Sequence, residues 1–137
     1  MSFNLDNVTV GDKIPDLMID PIKRSTLALY AGASGDHNPI HIDLDFAKKV
    51  GMGDVFAHGM LIMAYLGRAL TNIIPQSNLK NLNTRFCSIT NIGDELICSG
   101  QVSKVGNHNS KEIIVFDLMV ADKTGDIKVT GTATIEK

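Results

Sequence analysis

Apolar residues follow two different patterns along this chain, and the change between them predicts most of its elements. From Gly59 to Ile73 nearly every position is apolar: Met60, Leu61, Ile62, Met63, Ala64, Leu66, Ala69, Leu70 and Ile73. A stretch this apolar all round predicts one long helix that the rest of the chain must wrap. After it the pattern turns to short runs rich in β-branched residues. Leu82–Ile89, Glu95–Val105, Lys111–Val120 and Asp126–Ile135 read as strands. They are divided by Asn91-Ile-Gly-Asp94, Gly106-Asn-His-Asn109 and Asp122-Lys-Thr-Gly125, and the last is a hairpin signal.

The first half is more broken. Asp16-Leu-Met-Ile predicts a short strand, and Ser25 is placed to cap a helix running through Tyr30 to Ala33. Gly32, Gly35 and Pro39 then interrupt regular structure. Asp43 to Val50 reads as a short helix with acids at its start and lysines at its end, which suits the helix dipole. An antiparallel sheet laid on one long helix is expected, an α+β architecture. The 137 residues are expected to form one domain, with no repeat or linker.

Composition narrows the functional classes. A net charge of −2 leaves no basic footprint for nucleic acid and no polybasic patch for a membrane surface. The start, MSFNLDNVTVGDK, lacks the charged and apolar regions of a signal peptide. Met60–Ile74 contains Arg68 and Asn72 and is too short to span a bilayer. The two cysteines, Cys87 and Cys98, form no CxxC pair and fit reduced, buried thiols in a cytoplasmic protein.

Candidate chemistry sits in Tyr30-Ala-Gly-Ala-Ser-Gly-Asp-His-Asn-Pro-Ile-His41 and in Phe56-Ala-His-Gly-Met-Leu61. Pro39 blocks helix continuation, so a turn holds Asp36 and His41. Asn38 can bond the loop backbone or orient Asp36. A carboxylate and an imidazole that titrates near neutrality can activate a water and pass its proton on. Gly59 starts the long helix, where a backbone N–H has no intrahelical partner and can hold a developing oxyanion. A metal is not expected: His37, His41 and His58 are available, but Pro39 breaks the helix that i, i+4 ligation needs.

The element Asp36-His-Asn38-Pro39-Ile-His41, with Tyr30 and Ala47 at its edges, resembles the signature of the MaoC-like, (R)-specific enoyl-CoA hydratase family. Ala57-His58-Gly59-Met60-Leu61 is similar to that family's helix entry. Arg85-Phe86 and Gly93-Asp94-Glu95-Leu96 resemble its first strand pair. The resemblance implies the hotdog fold, a sheet wrapped around a long central helix. It implies hydration of a trans-2-enoyl-CoA to an (R)-3-hydroxyacyl-CoA, or the reverse dehydration, making the protein a hydro-lyase. Asp36, His41 and Gly59 are then the catalytic residues. Asn38, His58, Met60 and Met63 are expected to contact substrate. No cofactor is implied. The substrate would be a thioester of CoA or of acyl carrier protein. Relatives pair, so a homodimer or larger assembly is expected.

Other readings remain open. A hotdog acyl-thioester hydrolase would use a carboxylate and water at the thioester carbon. A subunit of a hetero-oligomeric hydratase, or an acyl-binding module, would need no chemistry of its own. Some relatives carry a hydroxyl residue two turns into the long helix, where Gly67 stands here. His37 and His108 are expected at the surface, Cys87 in the core, and His58 packing or capping the helix start. Arg85 is expected on the surface of a strand; contact with a CoA phosphate is the alternative.

Overall fold

A computed structural model describes residues 3–137. Five strands form one sheet in the order β1-β3-β4-β5-β2, every pair antiparallel. They are β1 (Leu17–Ile19), β2 (Leu79–Phe86), β3 (Leu96–His108), β4 (Lys111–Asp122) and β5 (Ile127–Glu136). The helices are α1 (Arg24–Ser34), α2 (Leu44–Lys49) and α3 (Gly59–Thr71). Alternate residues of the central strands face α3. Leu96, Cys98 and Val102 of β3, Ile114, Phe116, Leu118 and Val120 of β4, and Val129, Ala133 and Ile135 of β5 are all buried. Against them α3 sets Leu61, Ile62, Leu66, Ala69 and Leu70. Each large side chain buried this completely stabilises the fold by about 1.5–3 kcal/mol. The α+β sheet-on-helix architecture expected from the pattern is the one observed.

Several details differ from the sequence reading. Helix α1 starts at Arg24, one residue before the expected cap, and its N-cap is Lys23, with no side-chain capping bond. Ile22 explains this. It is buried and bonds Asp94 and Gly93 through its backbone, so the chain is extended there and free to turn only afterwards. The divider expected at Gly106–Asn109 is mostly strand. Pairing with β4 carries β3 on to His108, and the turn is only Asn109-Ser110, both at positive φ of 50° and 65°. β2 starts and ends three residues earlier than expected. It pairs with β5, and β3 lies beyond β4, so β2 and β3 are not neighbours in the sheet. Cys87, expected in the core, is exposed just past the end of edge strand β2. Cys98 is buried, and burial pushes its thiol up to about 12, which keeps it inert.

The wrapping of α3 is also incomplete. Gly59, Met60, Ala64 and Arg68 leave an exposed stripe at helical spacing. The sheet reaches only the opposite side. Where β5 and β2 approach closely, glycine is required: a Cβ on Gly131 would lie 2.6 Å from the Asn83 carbonyl oxygen. No helix among the described residues is long and apolar enough to cross a membrane.

Candidate active site

The site forms where the turn after α1 meets the start of α3. Gly35 ends α1 at φ 77°. The chain then makes a ladder of side-chain-to-backbone bonds. The Asp36 N–H donates to Ser34 Oγ, the Asn38 N–H to Asp36 Oδ1 at 3.2 Å, and the Ile40 N–H to Asn38 Oδ1 at 3.1 Å. Asn38 thus caps the short 3₁₀ turn Pro39–His41. Of the two roles expected for Asn38, its amide oxygen takes the structural one. Asp36 stays exposed, while His41 is buried.

His41 is oriented by the backbone ahead of α3. Its Nδ1 lies 2.6 Å from the Phe56 carbonyl oxygen. A carbonyl only accepts, so Nδ1 carries the proton and Nε2 of the neutral ring is left basic. His58 is 1% exposed and stacks on His41, with centroids 4.0 Å apart and planes 28° from parallel. Tyr30 meets the other side of His58 edge-on at 4.8 Å. The His58 Nε2–H donates to the Asp36 carbonyl oxygen at 3.1 Å, while its Nδ1 is buried with no partner among the described residues. Burial, and then the neighbouring His41, push the His58 imidazole below its usual pKa. The bond to the Asp36 carbonyl opposes that shift without cancelling it. A neutral His58 thus ties the Asp36 turn to the helix start and packs against His41.

One carboxylate oxygen of Asp36 and one ring nitrogen each of His41 and His58 lie within 4.8 Å of one another. Two hydrogen bonds of about 2.8 Å, meeting at a bent water, span such a gap. The Asp36 carboxylate and the His41 ring are therefore close enough for their chemistry to be coupled through solvent. The group suits a metal poorly. Imidazole lone pairs point outward in the ring plane, and two rings stacked face to face do not converge on one ion.

Gly59 is the first residue of α3, with His58 as its N-cap. Its N–H therefore has no intrahelical acceptor, and the positive end of the helix dipole lies there. A cleft of about 320 Å³ opens beside it, lined among others by Phe56, Gly59, Ile62, Phe86 and Thr90. Phe56 joins the two halves: its carbonyl holds His41, and the residue also lines the cleft. A Cβ on Gly59 would lie 3.3 Å from the Phe86 ring, so the space glycine leaves is already filled by a half-exposed aromatic wall.

The structure thus brings Asp36, His41, His58 and Gly59 into one neighbourhood. Met60 and Met63 stand apart from the cleft lining. Met60 is exposed, and the Met63 sulfur accepts a bond from Thr84 Oγ1 at 3.1 Å. Phe56 and Phe86 stand within the sequence motifs, but sequence reasoning gave neither a role in the site. A backbone carbonyl has no residue-type signal, and Phe86 meets Gly59 only through the packing of β2 on α3. The Tyr30–His58–His41 stack was signalled only by its aromatic residue types.

Residues 7–124 match the family model described as MaoC like domain. The chain is 29% identical over 119 residues to the peroxisomal hydratase-dehydrogenase-epimerase of Neurospora crassa, covering 87% of this chain and only 12% of that protein. It is 28% identical over 116 residues to the (R)-specific enoyl-CoA hydratase of Rhodospirillum rubrum, covering 83% of this chain and 78% of the relative. The R-hydratase PhaJ1 from Pseudomonas aeruginosa, in its unliganded form, superposes with a TM-score of 0.82 at 28% identity. That likeness covers 93% of this chain and 81% of that one.

Proposed function

The chain belongs to the MaoC-like domain family and has its hotdog fold, and from that premise we propose that it is a hydro-lyase acting (R)-specifically on trans-2-enoyl-CoA. Water would add its oxygen at C3 while a proton is delivered at C2, giving the (R)-3-hydroxyacyl thioester; dehydration is the same path reversed. One of Asp36 and His41 takes the proton from water and the other delivers one to C2. The thioester carbonyl, which gains enolate character, rests on the Gly59 N–H. No redox partner or cofactor enters this balance.

The observation that carries the reading is the Asp36 carboxylate and the His41 imidazole clustered within 4.8 Å, beside a free helix start. The same proposal includes CoA or acyl-carrier-protein thioesters as substrates. It also includes a dimer or larger assembly, because edge strand β2, Phe86 and the exposed stripe of α3 offer an uncovered seam. A cytoplasmic setting belongs to it as well, supported by two unpaired thiols.

The test is to mix purified protein with crotonyl-CoA and longer enoyl-CoAs and to follow loss of the conjugated enoyl absorbance, with chiral analysis of the product. The expected product is the (R)-3-hydroxyacyl-CoA. Release of free CoA thiol without loss of the enoyl group would replace the hydratase by a thioester hydrolase.

A further inference from the structure

Lys128 is buried in β5, its side chain only 3% exposed, and the chemistry above makes no use of it. A buried ammonium persists only when its three protons and its charge are met. Here Nζ donates to Asp126 Oδ2 at 2.8 Å and to the Ile89 carbonyl at 2.9 Å. Asp94 Oδ2 lies at 3.1 Å and Asp122 Oδ2 at 3.4 Å. Burial alone would lower its pKa, but the bonds to Asp126 and Asp94 outweigh that and hold it above the usual lysine value.

These partners come from two separate segments, the loop after β2 and the β4–β5 turn. The loop is also tied to the Lys128 backbone, whose carbonyl accepts from the Cys87 N–H at 2.9 Å. Asp94 in turn accepts from the Asn91 N–H at 2.8 Å. The loop then reaches the active site directly. The Thr90 carbonyl accepts the Ala57 N–H at 2.9 Å, and Asn91 forms a bridge with Phe56. Phe56 is the residue whose carbonyl fixes His41. On the other side, the Asp94 carbonyl accepts the Ile22 N–H at the entry to α1, the helix that carries Tyr30.

We propose that Lys128 is a positioning residue: its buried ion cluster holds the 87–94 loop, and through the Thr90–Ala57 and Asn91–Phe56 contacts sets the Phe56 carbonyl that orients His41. The inference rests on the hydratase reading only for its effect on rate. Its structural effect is read without substrate.

The experiment compares the parent with Lys128→Met and Asp94→Asn, using amide hydrogen exchange, the ¹⁵N shifts of the His41 ring and steady-state kinetics on crotonyl-CoA. In Lys128→Met the Ala57 amide should exchange faster by about tenfold or more, while the β3–β4 ladder stays protected. The His41 nitrogens should move from a single Nδ1–H form toward a tautomer mixture. Turnover should fall on the order of 10- to 100-fold with KM little changed, the scale of a misplaced catalytic group. Asp94→Asn should move the same signals less. A folded Lys128→Met with unchanged Ala57 exchange, His41 shifts and turnover would overturn the proposal. So would a uniform loss of protection across the sheet, which would assign Lys128 to global stability alone. If Lys128→Met does not fold, Asp94→Asn decides on the same signals, and failure of both to fold also overturns it. A parent protein that does not hydrate enoyl-CoA would sink the hydratase reading and leave this one standing on exchange and ring shifts.

Discussion

Replacing Gly59 tests the oxyanion assignment most directly, because the structure sets the size of the perturbation. A Cβ at position 59 would lie 3.3 Å from Cε1 and Cζ of Phe86. Ordinary carbon contacts sit near 3.5–4.0 Å, so alanine should move the ring by about 0.2–0.7 Å. Phe86 is 52% exposed and ends an edge strand, so that shift costs little. Alanine also suits a helix better than glycine by up to about 1 kcal/mol, so Gly59→Ala should melt no lower than the parent. Valine is different. Its two methyl groups extend about 1.5 Å beyond Cβ, pressing on the Phe86 ring and crowding the cleft beside the N–H, where the proposed thioester would lie. Losing one oxyanion donor costs about 10²–10³ in rate, or about 2.7–4 kcal/mol of transition-state stabilisation. Gly59→Val should therefore lose about 100-fold or more in turnover, and Gly59→Ala about tenfold or less. The loss in Gly59→Val should persist when Phe86→Ala is added, because the methyl groups and not the ring crowd the cleft beside the N–H. The assay is loss of enoyl absorbance with crotonyl-CoA, beside a circular dichroism melt. A folded Gly59→Val at the parent rate would show that the carbonyl binds elsewhere.

Asp36→Asn and His41→Ala should each cost about 10²–10⁴ in turnover, with the double variant little worse, and near-parent kinetics in either folded single variant would refute their joint role. Light scattering should give a mass above the 14.8 kDa of one chain; full activity at the monomer mass would contradict shared packing along the α3 stripe. His58 should make stability depend on pH. Its folded pKa lies below 6.5, so in acid the unfolded chain takes up the proton first. The stability it contributes is full above pH 6.5 and is lost as pH falls from there through the folded pKa. Urea unfolding at about pH 7.5 and about pH 5.5 should show that loss in the parent and a smaller one in His58→Gln, which keeps a donor for the Asp36 carbonyl but does not titrate. Equal slopes would place the acid sensitivity elsewhere.

Much of this protein was legible from residue types alone. The run from Met60 to Leu70 is apolar enough to predict the central helix, although Met60, Ala64 and Arg68 lie exposed on it, and the β-branched runs after it predict its sheet. Asp36, Asn38 and His41 were legible for a local reason: Pro39 and the side-chain caps at Asp36 and Asn38 build their turn from neighbours in sequence. The limits of the local signals were long-range. Ser25 was a reasonable cap until Ile22 was anchored by Asp94, 72 positions away (94 − 22). Cys87 was apolar enough for the core, but β2 took an edge position beside β5, and its end faces solvent. Only tertiary structure could set His41 on the Phe56 carbonyl, His58 between Tyr30 and His41, and Phe86 over Gly59. Each of those contacts joins segments that are distant in sequence, and two of them use backbone atoms or exposed rings that carry no composition signal. Local chemistry decided which groups were available; the packing of the sheet on α3 decided which of them meet.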